Sequence, residues 1–150
     1  MDEFVFVERD MTGAEYAQEI AGFTQHGLEY ANLPEEPERH GFVVLEGEIF
    51  VGAASGLAYR SEEGYSKWFY LSDLFIEKAY RGRGLGTDVL ARLEQKVASL
   101  GIAYIWTWTA GYDGYQFYLK QNYEIFAELE NWYHSGHSRF GMRKALTKTG

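Results

Sequence analysis

The chain has 150 residues, 46% hydrophobic and 24% charged, a composition typical of one soluble globular domain rather than of a disordered segment. It contains no cysteine, which excludes disulfide bonds, thiolate nucleophiles and cysteine-ligated zinc. The net charge of −8 argues against nucleic acid as the main partner. No apolar run reaches the roughly 20 residues of a membrane span, so we expect one cytoplasmic domain over residues 1–150 without a membrane partner.

The charge is distributed unevenly along the chain. Residues 1–65 carry 14 acidic and three basic residues, whereas residues 66–150 carry eight acidic and 11 basic residues. This asymmetry fits a cleft that presents a cationic and an anionic ligand to different walls. The alternative is that the acidic residues only solubilise an exposed helix and loop, and the sequence leaves both interpretations open.

The N-terminal half predicts a strand, a helix and a hairpin. Alternating apolar residues predict a first strand over residues 4–8, and Thr12 followed by Glu15 is a capping-box pattern that begins an amphipathic helix. The acidic stretch over residues 32–38 contains both prolines and predicts a loop or a broken helix. Residues 42–59 then predict a hairpin that turns at Glu46 and Gly47.

The C-terminal half predicts a crossover unit. Residues 65–76 are apolar at both alternating positions, which indicates a central strand covered on both faces. Apolar residues then recur at three- and four-residue steps from Leu85 to Leu100, which predicts a helix that ends at Gly101. The elements predicted after it are a strand parallel to the central one over residues 102–109, a short helix over 115–121, and two closing strands over 123–130 and 138–146.

Three glycines, at positions 82, 84 and 86, lie between the central strand and the long helix. Glycines let backbone N–H groups approach a ligand closely, and a helix N-terminus favours negative charge, so this loop suits a phosphate or pyrophosphate. The loop is not a P-loop, because Thr87 and Asp88 stand where a P-loop has Lys and Ser or Thr. It is not a dinucleotide-binding fingerprint either, because that motif has its third glycine at the position of Thr87 and follows a strand much earlier in the chain.

Two motifs resemble those of the GNAT superfamily of N-acetyltransferases. Residues 74–86 read LFIEKAYRGRGLG and resemble its acetyl-CoA signature, Arg/Gln-x-x-Gly-x-Gly/Ala after an apolar strand end. Residues 117–123 read FYLKQNY and resemble its second motif, with Asn122 in place of the usual glycine. The resemblance covers about residues 42–145, and the segments 136–139 and 142–146 are similar to one bacterial branch of the superfamily.

The resemblance implies a fold and an activity. The implied fold is α/β, with a mixed, mainly antiparallel sheet of six or seven strands and helices on both faces. The implied reaction moves an acetyl group from acetyl-CoA to a primary amine of a small molecule or peptide by direct attack, without a metal. The alternative is a non-catalytic sensor or regulatory module that binds CoA or acetyl-CoA. Dimers are common in the resembled family, which leaves a homodimer open.

The resemblance also implies the residues that contact acetyl-CoA. Backbone groups of the strand end would pair with the pantetheine amides, and the glycine loop with its two arginines would hold the pyrophosphate. The implied cofactor-binding residues are Leu74, Phe75, Ile76, Arg81, Gly82, Arg83, Gly84, Leu85, Gly86 and Thr87. Gly111 stands about where the family has an Asn that contributes to the second half of these contacts.

Two residues are candidates for catalysis. Tyr118 matches the family's tyrosine near the thioester sulfur and is the expected general acid for the departing thiolate. Asp73 is the candidate general base, because burial in an apolar strand would favour proton uptake. Ser72 occupies the position of the catalytic glutamate of polyamine-acetylating members, so a structural role for Asp73 and a water chain to a remote carboxylate stay open.

The region that forms much of the acceptor wall in the resembled family is rich in acidic residues here. The residues are Glu29, Glu35, Glu36, Glu38, Glu46 and Glu48, and they predict a preference for a basic amine over a free amino acid. Trp106 and Trp108 share one face of their strand and are interpreted as core or cleft wall. His134 and His137 lack an apparent third ligand, so no metal site is expected.

Overall fold

The computed structural model describes residues 3–146, which fall in two compact units, Met1–Pro34 and Glu35–Gly150. The single domain over residues 1–150 stays a prediction. In the first unit, helix α1 (Gly13–Glu29) begins at Thr12 with the predicted capping box. The Thr12 hydroxyl accepts from the Glu15 N–H at 3.2 Å, and the Glu15 carboxylate accepts from the Thr12 N–H at 2.7 Å. These bonds occupy two of the backbone donors that a helix start leaves free.

The strand predicted over residues 4–8 is wrong. These residues have no regular secondary structure, and their apolar side chains, including Phe4 and Phe6, are exposed. Alternation of apolar residues describes the two sides of an extended segment but does not supply a neighbouring strand. Without backbone hydrogen bonds to such a neighbour, an extended segment is not a strand.

The second unit contains a seven-stranded sheet and two α-helices. Its elements are β1 (Glu36–Glu46), β2 (Ile49–Ser61), β3 (Gly64–Tyr65), β4 (Trp68–Ile76), a 3₁₀ turn (Lys78–Tyr80), α2 (Leu85–Ser99), β5 (Tyr104–Ala110), α3 (Gly114–Lys120), β6 (Glu124–Leu129) and β7 (Arg139–Ala145). The strand order is β1-β2-β4-β5-β7-β6, and β3 pairs with β2. Among the described strand pairs, β4 and β5 are parallel and the others are antiparallel. The predicted mixed, mainly antiparallel sheet is confirmed.

The loop predicted over residues 32–38 is wrong at its end, because β1 already begins at Glu36. Pro37 lies in this strand, where a residue without an N–H group cannot donate to a ladder. The position is tolerated because β1 is the terminal strand of the order and has one unpaired edge. The edge position could not be recognised from the sequence, which shows only the two prolines.

Helices α2 and α3 pack on one side of the sheet, which we call the helix face. Leu90, Leu93 and Val97 of α2 and Tyr118 of α3 belong to one buried cluster with Phe69, Leu71, Ile105 and Met142 of the strands. Burial of side chains of this size contributes roughly 1.5–3 kcal/mol each. The opposite side, which we call the aromatic face, carries Trp68, Tyr70, Trp106 and Trp108, the side chains that alternate with the buried ones along β4 and β5.

Two irregularities of β4 position the candidate site. Ser55 pairs with Asp73 and the next residue, Gly56, pairs with Leu71, so Ser72 is an extra residue in a β-bulge. Pairing of β4 with β5 covers residues 68–70 and 104–106 and then stops, although both strands continue. Residues 71–76 and 107–110 therefore bound a gap between two parallel strands, which we call the fork. At its closed end, the Thr107 hydroxyl donates to the Leu71 carbonyl at 2.8 Å.

Candidate active site

The glycine loop opens a groove at the N-terminus of α2. Gly82 and Gly84 have φ angles of +79° and +80°, a left-handed conformation that other residues adopt only with strain, and Gly84 is the N-cap of α2. A Cβ atom at either glycine would meet no atom within 4 Å, so there is open space beside the loop at both positions. Because the first turn of a helix has unpaired N–H groups, this loop can accept an anion.

The groove at this loop measures about 340 Å³ and extends along the end of β4. Its lining residues are Leu74, Ile76, Tyr80, Arg81, Gly82, Gly84, Leu85, Gly86, Thr87 and Phe117. The Arg81 Nε donates to the Ile76 carbonyl at 2.9 Å, and the Arg83 guanidinium lies 5.2 Å from the Tyr80 ring centre. The structure thus brings together most of the residues that the acetyl-CoA signature predicted, and adds Tyr80 and Phe117.

The backbone of β4 faces the fork at two of the three predicted positions. The Glu77 N–H donates to the Val51 carbonyl at 2.8 Å, so the backbone N–H of Glu77 points to β2. The Phe75 carbonyl also points to β2, since a Cβ atom on Gly52 would lie 2.6 Å from it. Because backbone groups alternate in direction along a strand, those of Leu74 and Ile76 point away from β2 and into the fork.

Tyr118 lies on the helix face close to Thr107, at the closed end of the fork. Its side chain is buried, with 6% of the residue exposed. Burial raises the pKa of the Tyr118 phenol well above its usual range, and the hydroxyl of Thr107 opposes this shift to a lesser degree. The phenol therefore holds its proton at neutral pH and is available as a donor at this position.

Asp73 lies on the aromatic face beside the bulge. The Ser72 hydroxyl donates to Asp73 Oδ2 at 2.6 Å, and the Arg39 Nη1 lies 3.5 Å from the same oxygen and donates to Ser72 Oγ at 3.3 Å. The expectation that Asp73 is buried in an apolar strand is not met, because its side chain is 60% exposed. At the bulge the side chains of β4 no longer alternate strictly between the two faces of the sheet, so the neighbouring Ser72 and Asp73 belong to one polar cluster.

The acidic residues of β1 do not form one continuous wall in the unit Glu35–Gly150. Glu38 accepts hydrogen bonds from Tyr65 and His40 and lies 3.7 Å from Arg60, and these partners hold the pKa of its carboxyl below the usual range. Glu46 accepts from the Tyr80 hydroxyl at 2.8 Å near the other end of the strand. Glu38 and Glu46 therefore lie roughly 27 Å apart along β1, at about 3.4 Å for each residue that separates them.

Two further sequence observations have a structural explanation. Asn122 has a φ angle of +70° directly after α3, which is the left-handed conformation expected of the residue that replaces glycine there. A Cβ atom on Gly111 would lie 2.7 Å from the Ser138 carbonyl and 3.0 Å from the Phe140 ring, so the position has no room for a side chain.

The fork with its adjoining glycine loop agrees with the fold that the resemblance to the GNAT superfamily implies. The sequence model of the Acetyltransferase (GNAT) family matches residues 6–123, and the chain therefore belongs to that family. This result confirms the resemblance found in the two motifs. The chain is an acetyltransferase, and its family uses acetyl-CoA as the acetyl donor.

Solved structures confirm the fold. An acetyltransferase from Bacillus cereus ATCC 14579 superposes with a TM-score of 0.79 at 19% identity, over 94% of this chain and 98% of that one. The aminoglycoside 6'-N-acetyltransferase from Enterococcus faecium gives a TM-score of 0.61 at 20% identity, over 91% of this chain and 87% of that one. An aminoglycoside 6'-N-acetyltransferase complexed with coenzyme A gives 0.62 at 22% identity, over 77% of each chain.

Residues 3–146 contain no helix that is long and apolar enough to cross a membrane. The same residues contain no group of three or more His, Asp or Glu side chains arranged to hold a metal ion. His137 Nδ1 lies 2.8 Å from the Ser135 hydroxyl.

Proposed function

We propose that this chain transfers the acetyl group of acetyl-CoA to a primary amine by direct attack of the amine on the thioester. The observation that carries the proposal is the groove that runs from the glycine loop along the end of β4, on the edge where β4 and β5 are no longer paired. This groove has an anion-binding end and a backbone edge that can pair with amides, and the buried proton donor Tyr118 lies near the closed end of the fork.

The residues along this groove fit the parts of acetyl-CoA in order. Backbone N–H groups from Gly82 to Thr87 would hold the pyrophosphate, with the positive charge of Arg81 and Arg83 at the rim. The backbone groups of Leu74 and Ile76 would pair with the pantetheine amides as an added strand does. Phe75, whose carbonyl points to β2, would contribute through the shape of the strand rather than through backbone pairing.

The reaction removes two protons from a primary ammonium ion and supplies one to the sulfur. The ammonium ion gives up the first proton before the amine attacks, and Asp73 would accept it directly or through water from the aromatic face. A carbon–nitrogen bond then forms at the thioester carbonyl while the carbon–sulfur bond breaks, and the nitrogen releases its second proton to solvent as it becomes an amide. Tyr118 would donate its phenol proton to the departing thiolate from the helix face and recover a proton from solvent.

The charge of the chain bears on the class of acceptor. The excess of acidic residues in the first half of the chain supports a small basic amine rather than a free amino acid. Asp73 adds a carboxylate at the fork itself, although Arg39 lies 3.5 Å away and offsets part of its charge. We therefore propose a small basic primary amine as the acceptor.

The proposal is tested by incubating the protein with acetyl-CoA and a panel of primary amines, and by measuring the free thiol that is released. Thiol release that depends on the amine is the expected result, and Asp73→Asn should lower its rate. Tight binding of acetyl-CoA without thiol release from any amine would instead support a CoA-binding sensor. Absence of acetyl-CoA binding would contradict both interpretations.

A further inference from the structure

The aromatic face carries a second groove beside the fork. It measures about 310 Å³ and is lined by Trp68, Trp106, Trp108, Phe126 and Arg143. Four of the five lining side chains are aromatic, and each belongs to a strand of the sheet, so the groove has rigid walls. A volume of this size matches a small molecule rather than a macromolecular segment.

The position of Trp108 connects this groove to the site of acetyl transfer. Trp106 is the last β5 residue paired with β4, and its ring centre lies 4.6 Å from that of the Tyr70 ring. Trp108 is the next residue of β5 on the same face and therefore lies on the β5 side of the fork, with Asp73 on the β4 side. An amine that reaches the thioester from the aromatic face passes between these two side chains.

The chemistry of the lining residues selects the ligand. Flat rings of Trp and Phe favour another aromatic ring, through offset or edge-to-face contacts that add to the burial of apolar area. Arg143 is the charged residue of the lining, and its guanidinium is paired with Glu124 at 2.7 Å and lies 5.8 Å from the Phe126 ring centre. No carboxylate lines the groove, so a second ammonium group of a polyamine would meet only ring faces there, and the positive charge of Arg143 opposes it.

We propose that this groove binds the non-reacting part of the acceptor, and that the acceptor is a monoamine that carries an aromatic ring, with Trp108 as a specificity-determining residue. The inference rests on the proposed function. It goes beyond that function by naming the acceptor class and the residues that distinguish an aromatic amine from an aliphatic one.

The test compares two amines that differ in the aromaticity of one ring, 2-phenylethylamine and 2-cyclohexylethylamine. Aromatic pairing is worth about 0.5–1.5 kcal/mol, so kcat/KM for the aromatic amine should be roughly two- to tenfold higher. Trp108→Ala should remove this preference, and Trp108→Phe should keep part of it. Propylamine is too short to enter the groove, so Trp108→Ala should change its kcat/KM less than it changes that of 2-phenylethylamine.

Trp132→Ala is the matched control. Arg139 lies over both tryptophans, 5.2 Å from the Trp108 ring and 5.1 Å from the Trp132 ring, but Trp132 does not line the groove. This variant should keep the preference for the aromatic amine. Equal kcat/KM for the two ring amines would overturn the inference, as would a preference that survives in Trp108→Ala.

Binding is measured separately, so that failure of the inference and failure of the proposed function are distinguishable. Saturation-transfer NMR of 2-phenylethylamine in the presence of CoA should show a ring contact that Trp108→Ala abolishes. If this contact is seen and no amine is acetylated, the groove is confirmed and the proposed function fails. If sedimentation shows that Trp108→Ala dissociates a dimer, the face is a subunit interface and the inference is overturned.

Discussion

Tyr118 is a core residue whose hydroxyl lies at the closed end of the fork. It is almost fully buried among apolar side chains, yet its hydroxyl lies beside Thr107 at the closed end of the fork. Burial raises the pKa of its phenol, which keeps the proton in place at the pH where an acetyltransferase works. The group is therefore a proton donor towards the leaving thiolate and not a base for the amine, and its raised pKa makes it a weaker acid than an exposed tyrosine.

Tyr118→Phe removes the phenol proton and keeps the ring. We expect affinity for acetyl-CoA to change little and turnover to fall by roughly 10²-fold or more, the usual scale for loss of a general acid. The measurement is amine-dependent thiol release together with calorimetric titration of acetyl-CoA. Burial and the nearby Glu94 carboxylate raise the pKa of Tyr123 in the same way, so Tyr123→Phe is a control for loss of a buried hydroxyl. Full activity of Tyr118→Phe would leave Tyr118 as a core aromatic residue.

At the scale of an element, the start of α2 depends on two glycines in the left-handed conformation. Such a position tolerates a side chain only with strain, independently of any ligand. Gly101 provides the comparison, because its φ angle of +84° is close to the +80° of Gly84 and its Cβ would also meet nothing within 4 Å. The two positions differ in that Gly84 lines the groove at the N-terminus of α2 and Gly101 follows its C-terminus.

Gly84→Leu should therefore weaken acetyl-CoA binding at least roughly tenfold, a loss of about 1.4 kcal/mol, because the side chain enters the space that the pyrophosphate needs. Gly101→Leu should lower the free energy of unfolding about as much as Gly84→Leu does, because the backbone strain is the same, and should leave acetyl-CoA binding unchanged. Calorimetric titration and thermal unfolding of both variants measure the two effects. Equal affinity in Gly84→Leu and the unmodified protein would contradict the assignment of the pyrophosphate to this loop.

The first turn of α1 carries a pH-dependent capping box. The Arg9 guanidinium and the Thr12 N–H hold the pKa of the Glu15 carboxyl at about 2, below its ordinary value of 4.5. Because the pKa is lowered on folding, the ionised carboxylate stabilises the helix start above about pH 4.5, and this contribution is lost as the pH falls towards 2.

Hydrogen exchange of the first-turn amides of α1 should therefore accelerate between about pH 4.5 and 2, after correction for the intrinsic pH dependence of exchange. Glu15→Gln should exchange faster already at neutral pH and should lose this step. A step of the same size in Glu15→Gln would assign the titration to another group.

The net charge of the whole molecule affects how fast the acceptor reaches the protein, and not the acetyl-transfer step itself. A net charge of −8, concentrated in the first half of the sequence, attracts cationic amines over a distance that shrinks to about 8 Å at physiological ionic strength. The acidic residues of β1 are spread along the strand and some are neutralised, as the contacts of Glu38 show. Any attraction therefore comes from the summed field and not from a single acidic wall.

We expect kcat/KM for a primary alkylamine to fall as salt rises from low ionic strength to about twice the physiological value. An amine of low pKa, neutral at the assay pH, should show a smaller change because it carries no charge for the field to attract. The neutral amine also controls for salt effects on acetyl-CoA binding. An equal response of both amines would leave the acidic half of the chain as solvated surface.

The sequence by itself determined the elements around the glycine loop and the family of the protein. The apolar spacing of α2, its stop at Gly101, the hairpin turn at Gly47 and the capping box of Thr12 and Glu15 are local patterns, and each is present in the structure. These patterns depend on residues within a few positions of one another, so that steric and hydrogen-bonding preferences are readable without a fold. The two GNAT motifs, residues 74–86 and 117–123, are also local, because each is recognised from the spacing of residues within one short segment.

The tertiary structure alone decided where strands pair and where pairing stops. The irregular conformation of residues 4–8, the strand at Pro37 and the bulge at Ser72 all depend on which neighbour supplies hydrogen bonds. The same holds for the fork, because the sequences of β4 and β5 continue as strands beyond their last shared pair. The exposure of Asp73 and the groove at Trp108 follow from these long-range pairings, whose partners lie too far apart in the chain for any local pattern to specify.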